Sequence, residues 1–392
     1  MLGFQPTPCA QKVEHKTGHP TYLSKSKMFR YVFALFLLLF FRYAQYDVLA
    51  YIMSSMVGHY IPPCPWLVAI VLTLLFVLVG HGAESVLKKR TIHYRLPYVV
   101  VGWGAAAITS APFVNIYYQI GLLIAAVVVA GIMIWTDKFT QRSFSQKTYV
   151  ALLQLILLCL YVGVGNGVTD LTHYELRTAQ ALQSAHPKRA YKVGEKSYAT
   201  SPRLFAMRCY LMATTHKHGL GNKVFEQMVP AEGGASCLLL PNDEEQRLLF
   251  SISNQERLLG SARHANETPL QYFKRCAWLA AFKGHRANNV AVDYYLSALL
   301  LERRLDLFAQ EIARFYPREV QQGKLPTYFA QALVLYQRSR TQPIVRYQDS
   351  GIAANFEDFS DMGDTISNRI IRCNTLRNSY GETYWWWYTY GK

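Results

Sequence analysis

The sequence predicts an all-α protein in two parts, a multi-span helical membrane bundle and then a soluble domain of helical hairpins. Two observations indicate this. Five apolar stretches lie between Met28 and Val168, each about long enough to cross a bilayer. From Asp170 onward apolar residues recur at helical spacing, without an alternating strand pattern of useful length. We therefore predict a tail at 1–27, about five spans within 28–168, a helical domain at 169–340, and an irregular segment with an aromatic tail at 341–392.

The predicted spans cover residues 28–44, 66–87, 97–114, 117–135 and 148–168. Residues 46–60 mix aromatics, Met and Ser, a composition typical of an amphipathic helix on the membrane surface. The first 27 residues are polar, and no small-residue cleavage site follows the first apolar run. We therefore expect a flexible tail that leads into a signal anchor.

Lysine and arginine occupy alternate links between the stretches. They precede the first stretch and follow the second and fourth, whereas the links after the first and third contain none. Short loops rich in these residues stay in the cytoplasm. The amino terminus is therefore predicted inside, and everything after Val168 outside.

The net charge of +16 is distributed unevenly. Residues 1–168 contain 13 bases and four acids, an excess that suits anionic lipid headgroups. The excess after residue 168 is modest and dispersed, with no Lys/Arg run longer than two. We therefore expect membrane lipids as partners and no nucleic acid.

The part of the chain after Val168, here called the outer domain, is predicted to be a series of helices separated by Pro and Gly. They are predicted at 170–186, 203–215, 222–228, 244–263, 270–282, 289–303, 305–315 and 328–338, with Asn242 and Asp243 capping the long one. The clearest pair, at 289–317, loosely resembles a tetratricopeptide repeat in architecture. An irregular helical bundle is the alternative.

The last 50 residues are less regular. Residues 341–364 are predicted as a loop and 366–377 as a last helix. An aromatic tail follows, formed by Tyr384, Trp385, Trp386, Trp387 and Tyr388. It could cap the helical core, lie in the membrane interface, or dock to a partner. Capping is favoured, and the tail is also our candidate for partner binding.

Three ionisable residues near the spans are candidates for chemistry. His81 and Glu84 lie three residues apart on one helical face and could form a proton relay or a polar ligand site, although an interfacial pair is the favoured interpretation. Asp47 follows the first span, where lipid-linked sugar transferases place a catalytic base. A salt bridge with Arg42 is the alternative.

The outer domain shows no strong catalytic or metal motif. The nearest approach is His216 to Asn222, whose glycines indicate a turn between helices. His216 and His218 would point to different faces of a helix, so no metal site and no cofactor are predicted. Four of the seven cysteines, Cys209, Cys237, Cys276 and Cys373, lie in this domain. They are predicted as core thiols, with disulfides as the alternative.

Several stretches resemble an uncharacterised family of bacterial inner-membrane proteins with amino-terminal spans and an outer tetratricopeptide-like domain. The residues that carry the resemblance are 289–296, 299–308, 325–333 and 383–388. It implies a bacterial inner membrane, with the carboxy-terminal domain in the periplasm. It supplies no catalytic residues.

The expected function is therefore a membrane-anchored scaffold or assembly factor that presents its helical domain to protein partners. This makes a non-enzymatic role the favoured one. The alternative is a membrane enzyme or carrier for lipid-linked substrates, which would use Asp47 or the pair His81 and Glu84.

Overall fold

The computed structural model describes residues 21–58, 64–88, 95–139, 144–184, 187–193, 200–230, 233–242, 250–282 and 289–391. Every regular element in these ranges is helical, as predicted. The predictions for residues 1–20, for the loop cations Lys89, Arg90 and Arg142, and for the cap Asp243 lie outside the described residues.

The chain divides into two compact units. The first unit comprises Met1–Tyr46 and Cys64–Gly167, and the second unit comprises Asp47–Pro63 and Val168–Lys392. The first contains helices α1 (Thr21–Leu39, continued by a π-helical turn at Phe40–Ala44), α3 (Pro65–Lys88), α4 (Leu96–Ser110), α5 (Ile116–Phe139) and α6 (Phe144–Gly165).

The second unit begins in α2 (Tyr46–Val57) and resumes with α7 (Asp170–Gln183) and α8 (Pro202–Thr215). It continues with α9 (Gly219–Lys223), α10 (Ile252–Leu259), α11 (Pro269–Phe282), α12 (Asn289–Leu301), α13 (Leu305–Phe315), α14 (Pro317–Gln322), α15 (Thr327–Arg338), α16 (Ser350–Thr365), α17 (Arg369–Tyr380) and α18 (Tyr384–Tyr390). Two 3₁₀ turns lie at Pro187–Lys192 and Ala235–Leu238.

Three of the described helices are long and apolar enough to cross a membrane: Pro65–Val86, Ile116–Lys138 and Thr148–Gly165. A fourth is added if the bent pair Met28–Ala44 and Tyr46–Val57 is counted as one span. The predicted span at 97–114 corresponds to α4, which ends at Ser110 before Pro112. Its 15 residues extend about 22 Å, less than the ~30 Å hydrocarbon core.

Helix α4 is the central helix of the first unit. It packs against α3, α5 and α6, and most of its residues are buried. Gly102 permits the close approach to α6, because a Cβ there would lie 2.9 Å from Val162 Cγ2. At the start of α4, Arg95 donates to Gln154, whose amide in turn donates to Asp137 at 2.9 Å. These buried polar groups thus satisfy one another.

The second unit is organised around α12. This helix is buried on all sides and packs against α9, α10, α11 and α13, because apolar residues occupy nearly every position from Ala291 to Leu301. From α13 onward the longer helices follow one another in space: α13 packs on α15, α15 on α16, and α16 on α17. Helix α12 is thus surrounded by its neighbours, and a short series of helix pairs extends from α13.

Three sequence predictions need correction. The predicted loop at 341–364 contains α16, whose first backbone amides, those of Gly351 and Ile352, donate to the Asp349 side chain at 3.0 Å. The predicted helix at 244–263 is reduced, in the described residues, to α10. It ends at Gly260, where φ is +76°. The predicted helix at 222–228 is instead the short α9.

Candidate functional site

Asp47 is the sequence-predicted site residue with the most elaborate surroundings. It lies in the first turn of α2 and is completely buried. His173 Nδ1 lies 2.8 Å from Asp47 Oδ2, and Arg177 Nε lies 3.4 Å from the same oxygen. The Gln180 amide donates to the Asp47 backbone carbonyl at 2.7 Å. Three side chains from α7 therefore contact Asp47.

The three partners share one face of α7 because they are four and three residues apart. Thr169 caps this helix by accepting from the Thr172 backbone amide at 3.3 Å. These partners of Asp47 were not predicted from the sequence, for which a salt bridge with Arg42 was the alternative. In the structure the Arg42 guanidinium lies 4.8 Å from the ring centroid of Tyr43. The sequence feature that could have indicated them is the stripe of His173, Arg177 and Gln180, three polar residues at helical spacing.

Asp47, His173, Arg177 and Gln180 form what we call the Asp47 cluster. Its geometry permits proton transfer at His173 and hydrogen bonding at Asp47 Oδ1. A carboxylate that accepts from histidine Nδ1–H leaves Nε2 able to take a proton, and His173 is partly accessible at 13% side-chain exposure. Within the part of the chain that the structure describes, Asp47 Oδ1 is buried without a hydrogen-bond partner, so it retains the capacity to accept from a hydroxyl or amide. The half-exposed Arg177 supplies positive charge at the rim.

His81 and Glu84 are brought together through a third residue. Arg30, on α1, donates to Glu84 Oε1 at 2.5 Å, and its other terminal nitrogen lies 3.4 Å from His81 Nδ1. Glu84 is buried while His81 is exposed. The arrangement is an ion pair that neutralises a buried carboxylate and joins α1 to α3.

A second histidine–aspartate cluster lies in the second unit. Tyr316 donates to Asp293 Oδ1 at 2.6 Å, and His218 Nδ1 lies 3.2 Å from Asp293 Oδ2. His218 adopts the left-handed region at φ +52°, in the turn that the sequence indicated. Burial raises the pKa of Asp293, and the hydrogen bonds from His218 and Tyr316 oppose that rise.

The two histidines of this turn have separate neighbours. His216 lies 6.0 Å from the Tyr191 ring, measured between centroids. Among the described residues, no group of three or more His, Cys, Asp or Glu could hold a metal ion. Cys209, Cys237 and Cys276 are buried, whereas Cys373 is half-buried, and burial raises the pKa of Cys276 to about 11.

The aromatic tail folds into the second unit as α18. Tyr384 is fully buried, its backbone amide donates to Gln331 Oε1 at 2.7 Å, and its hydroxyl donates to the Leu300 carbonyl at 3.2 Å. Trp385 is 1% exposed and packs on Phe356. The other three members, Trp386, Trp387 and Tyr388, are half-buried. Of the five tail aromatics proposed for partner binding, these three retain accessible surface.

Arg303 holds the last turn of α18. Its guanidinium lies over the rings of Trp387 and Tyr388, at 5.0 and 5.8 Å from their centroids, and donates to the Gly391 carbonyl. Arg303 itself has a φ of +57°, a left-handed conformation that is costly for a side chain of this size.

Comparison with known protein families shows a similarity over part of the second unit, residues 242–391. No curated protein and no solved structure matches the chain significantly. The matching region includes α10–α18 but neither the first unit nor the Asp47 cluster. Over residues 242–391 the chain matches DUF6057, a family of unknown function.

Proposed function

We propose that the chain is a membrane-anchored scaffold or assembly factor whose second unit binds protein partners. The observation that supports this most is the chain's division into apolar, span-length helices and a separate helical unit that ends in successive helix pairs. Stacked helix pairs offer extended surfaces to peptides and folded proteins. A membrane tether raises the local concentration of such a surface near other membrane proteins.

The proposal includes a location and an architecture. The chain resides in a bacterial inner membrane with its amino terminus in the cytoplasm and its second unit in the periplasm, following the alternation of basic loops. The helix pairs from α13 to α17 then act as a short tetratricopeptide-like array. In this arrangement the accessible tail aromatics, Trp386, Trp387 and Tyr388, face potential partners.

The test is purification of the tagged full-length protein from native membranes in mild detergent, with mass spectrometry of what accompanies it. A stoichiometric protein partner is expected. Trp386→Ala and Tyr388→Ala should release it while thermal unfolding still shows a folded second unit. Leu279→Ala, an exposed side chain on α11, is the matched control and should retain the partner. A protein purified alone contradicts the proposal.

A second function is favoured by one specific observation, the contact of 2.8 Å between Asp47 and His173. In that case the chain is a membrane enzyme or carrier for lipid-linked substrates, with Asp47 orienting His173 as the base. Organic extraction of the purified protein should then yield a bound lipid or glycan.

The Asp47 cluster offers its own control. Asp47→Asn should abolish the processing of that lipid without lowering protein abundance. Gln180→Ala removes only the contact to the Asp47 backbone and should leave the processing intact. Equal losses of abundance in both variants would show that the cluster merely holds α2 on α7.

A further inference from the structure

Helix α17 exposes two adjacent isoleucines at its start. Ile370 is 72% exposed and Ile371 is 57% exposed, whereas Leu376 on the same helix is completely buried. Met362, near the end of α16, adds a side chain that is 37% exposed. Single exposed apolar residues are ordinary, but two adjacent isoleucines at the tip of a helix pair form a patch that water solvates poorly.

The charges of the same helix pair are separated by helix. Every charged residue of α16 is acidic, and every charged residue of α17 is basic. The acids are Glu357, Asp358, Asp361 and Asp364, and the bases are Arg369, Arg372 and Arg377. Because α16 and α17 are neighbours, the acids of one helix could form ion pairs with the arginines of the other. The ion pairs in the structure show whether they do.

Few of these charges are compensated by an ion pair with another described residue. In the described residues, Asp358, Asp361, Asp364 and Arg369 are exposed and form no ion pair. Glu357 pairs with Arg338 on α15. In the described residues, the helix pair α16–α17 therefore carries three exposed acids without an ion pair, an exposed arginine and two exposed isoleucines.

Such a surface is complementary to itself. When two copies meet about a two-fold axis, each patch contacts the same patch of the other copy. The acidic α16 of one copy can then lie against the basic α17 of the other, with the isoleucines buried between them. A membrane surface fits less well, because anionic headgroups would repel the four acids of α16.

We propose that the α16–α17 helix pair is a homodimer interface, in which Ile370 and Ile371 form the apolar centre and Asp361 pairs with Arg369 of the other copy. Charge complementarity fixes the register, and burial of the isoleucines supplies the affinity. The proposal concerns self-association alone, so it stands or fails independently of the partner-binding function proposed above.

The test uses the full-length protein in detergent, with its mass determined by light scattering corrected for bound detergent. The wild type should be a dimer. The double variant Ile370→Ser and Ile371→Ser should be a monomer, because it removes the centre of the interface. Ile344→Ser, which alters an isoleucine that is 76% exposed outside this helix pair, should remain dimeric. All these positions are exposed, so thermal unfolding should be nearly unchanged.

Charge reversal makes the test specific. Asp361→Arg and Arg369→Asp should each weaken the dimer at least about tenfold, because like charges then face each other twice. A mixture of the two reversed proteins should form heterodimers with near wild-type affinity, since both contacts become opposite in sign. No membrane or unrelated protein partner would produce that recovery.

Several outcomes would overturn the proposal. These are a monomeric wild type at tens of micromolar, a dimer that survives loss of both isoleucines, or a mixture that does not recover. A monomer whose Ile371→Cys thiol becomes protected only in anionic vesicles would also overturn it and assign the patch to lipid.

Discussion

At the scale of single residues, the Glu267–Arg275 pair illustrates how context sets the strength of an ion pair. Arg275 Nε and Nη2 donate to the two oxygens of Glu267 at 2.8 and 2.7 Å, and the Glu267 side chain is only 11% exposed. Asp306 and Arg340 have the same two-pronged geometry, but both side chains are open to solvent. Water screens the second pair far more than the first.

We expect Glu267→Gln to lower the free energy of unfolding at pH 7 by about 1.5 kcal/mol. Hydrogen bonds from Arg275 lower the pKa of Glu267 below its unfolded value. This stabilisation is therefore complete above the unfolded pKa and is lost as the pH falls through the folded one. Urea unfolding in detergent, followed by tryptophan fluorescence, should show the difference between variant and wild type shrinking as the pH falls below the usual pKa range of glutamate.

Asp306→Asn is the matched comparison and should cost less at pH 7. If Glu267→Gln instead cost no more than Asp306→Asn at pH 7, burial would not be what strengthens the pair.

Asp293 should show the opposite pH dependence. Because burial raises its pKa, its contribution to stability is complete below the unfolded pKa and declines as the pH rises through the folded one. Asn at this position stays neutral and can still accept from Tyr316. The stability of Asp293→Asn relative to wild type should therefore increase from pH 4 to pH 7 in thermal unfolding. A relative decrease would mean that the charged pair with His218 is stabilising overall.

The candidate sites show what a sequence reveals about single residues. Asp47, Glu84 and His218 were recognisable as unusual polar residues in their local context. Their partners, His173, Arg30 and Asp293, are 126, 54 and 75 residues away. Helical spacing indicates which residues share a face, but it does not tell which faces meet.

At the scale of elements, the aromatic tail is part of the core rather than an appendage. Trp385→Ala should lower the free energy of unfolding by about 3 to 5 kcal/mol, since it removes a completely buried ring. Trp386→Ala removes a half-buried ring and should cost clearly less. Urea unfolding of the two variants measures the difference, and equal costs would contradict the deeper burial of Trp385.

Most helices in the second unit were predictable because their apolar residues recur at intervals of three and four. The predictions for α11, α13 and α15 agree with the structure within one or two residues. Helix α16 was missed because Gly351, Asn355, Ser360 and Gly363 weaken its helical propensity. Its stripe of Ile352, Phe356 and Phe359 packs on the tail, so the helix depends on a tertiary contact.

At the scale of the whole molecule, the alternation of basic loops predicts which sides of the membrane the segments occupy. The substitution Gln342→Cys, at an exposed position, should introduce a thiol that reacts with an impermeant reagent in intact spheroplasts. Cys9 lies in the predicted cytoplasmic tail and should react only after lysis. Replacing Cys64 and Cys373 by Ser removes the other accessible thiols that lie outside the membrane helices. Protection of the introduced thiol before lysis would reverse the proposed orientation.

The division into units was only partly foreseeable. Composition changes abruptly near Val168, and the structural boundary lies at the same place. The grouping of residues 47–63 with the second unit was not visible, because it depends on contacts such as that of Asp47 with α7. Chain order alone places this segment among the apolar helices.

The position of Tyr384 has a consequence for how the protein is made. The Leu300 carbonyl and the Gln331 side chain receive their hydrogen bonds from a residue translated more than 50 positions later. While residues 384–388 are still on the ribosome or in transit, the surfaces around Phe225 and Phe356 lack the rings that cover them. Completion of the second unit therefore follows the arrival of these residues. A chain arrested before residue 384 should be recognised by proteases and chaperones as unfinished.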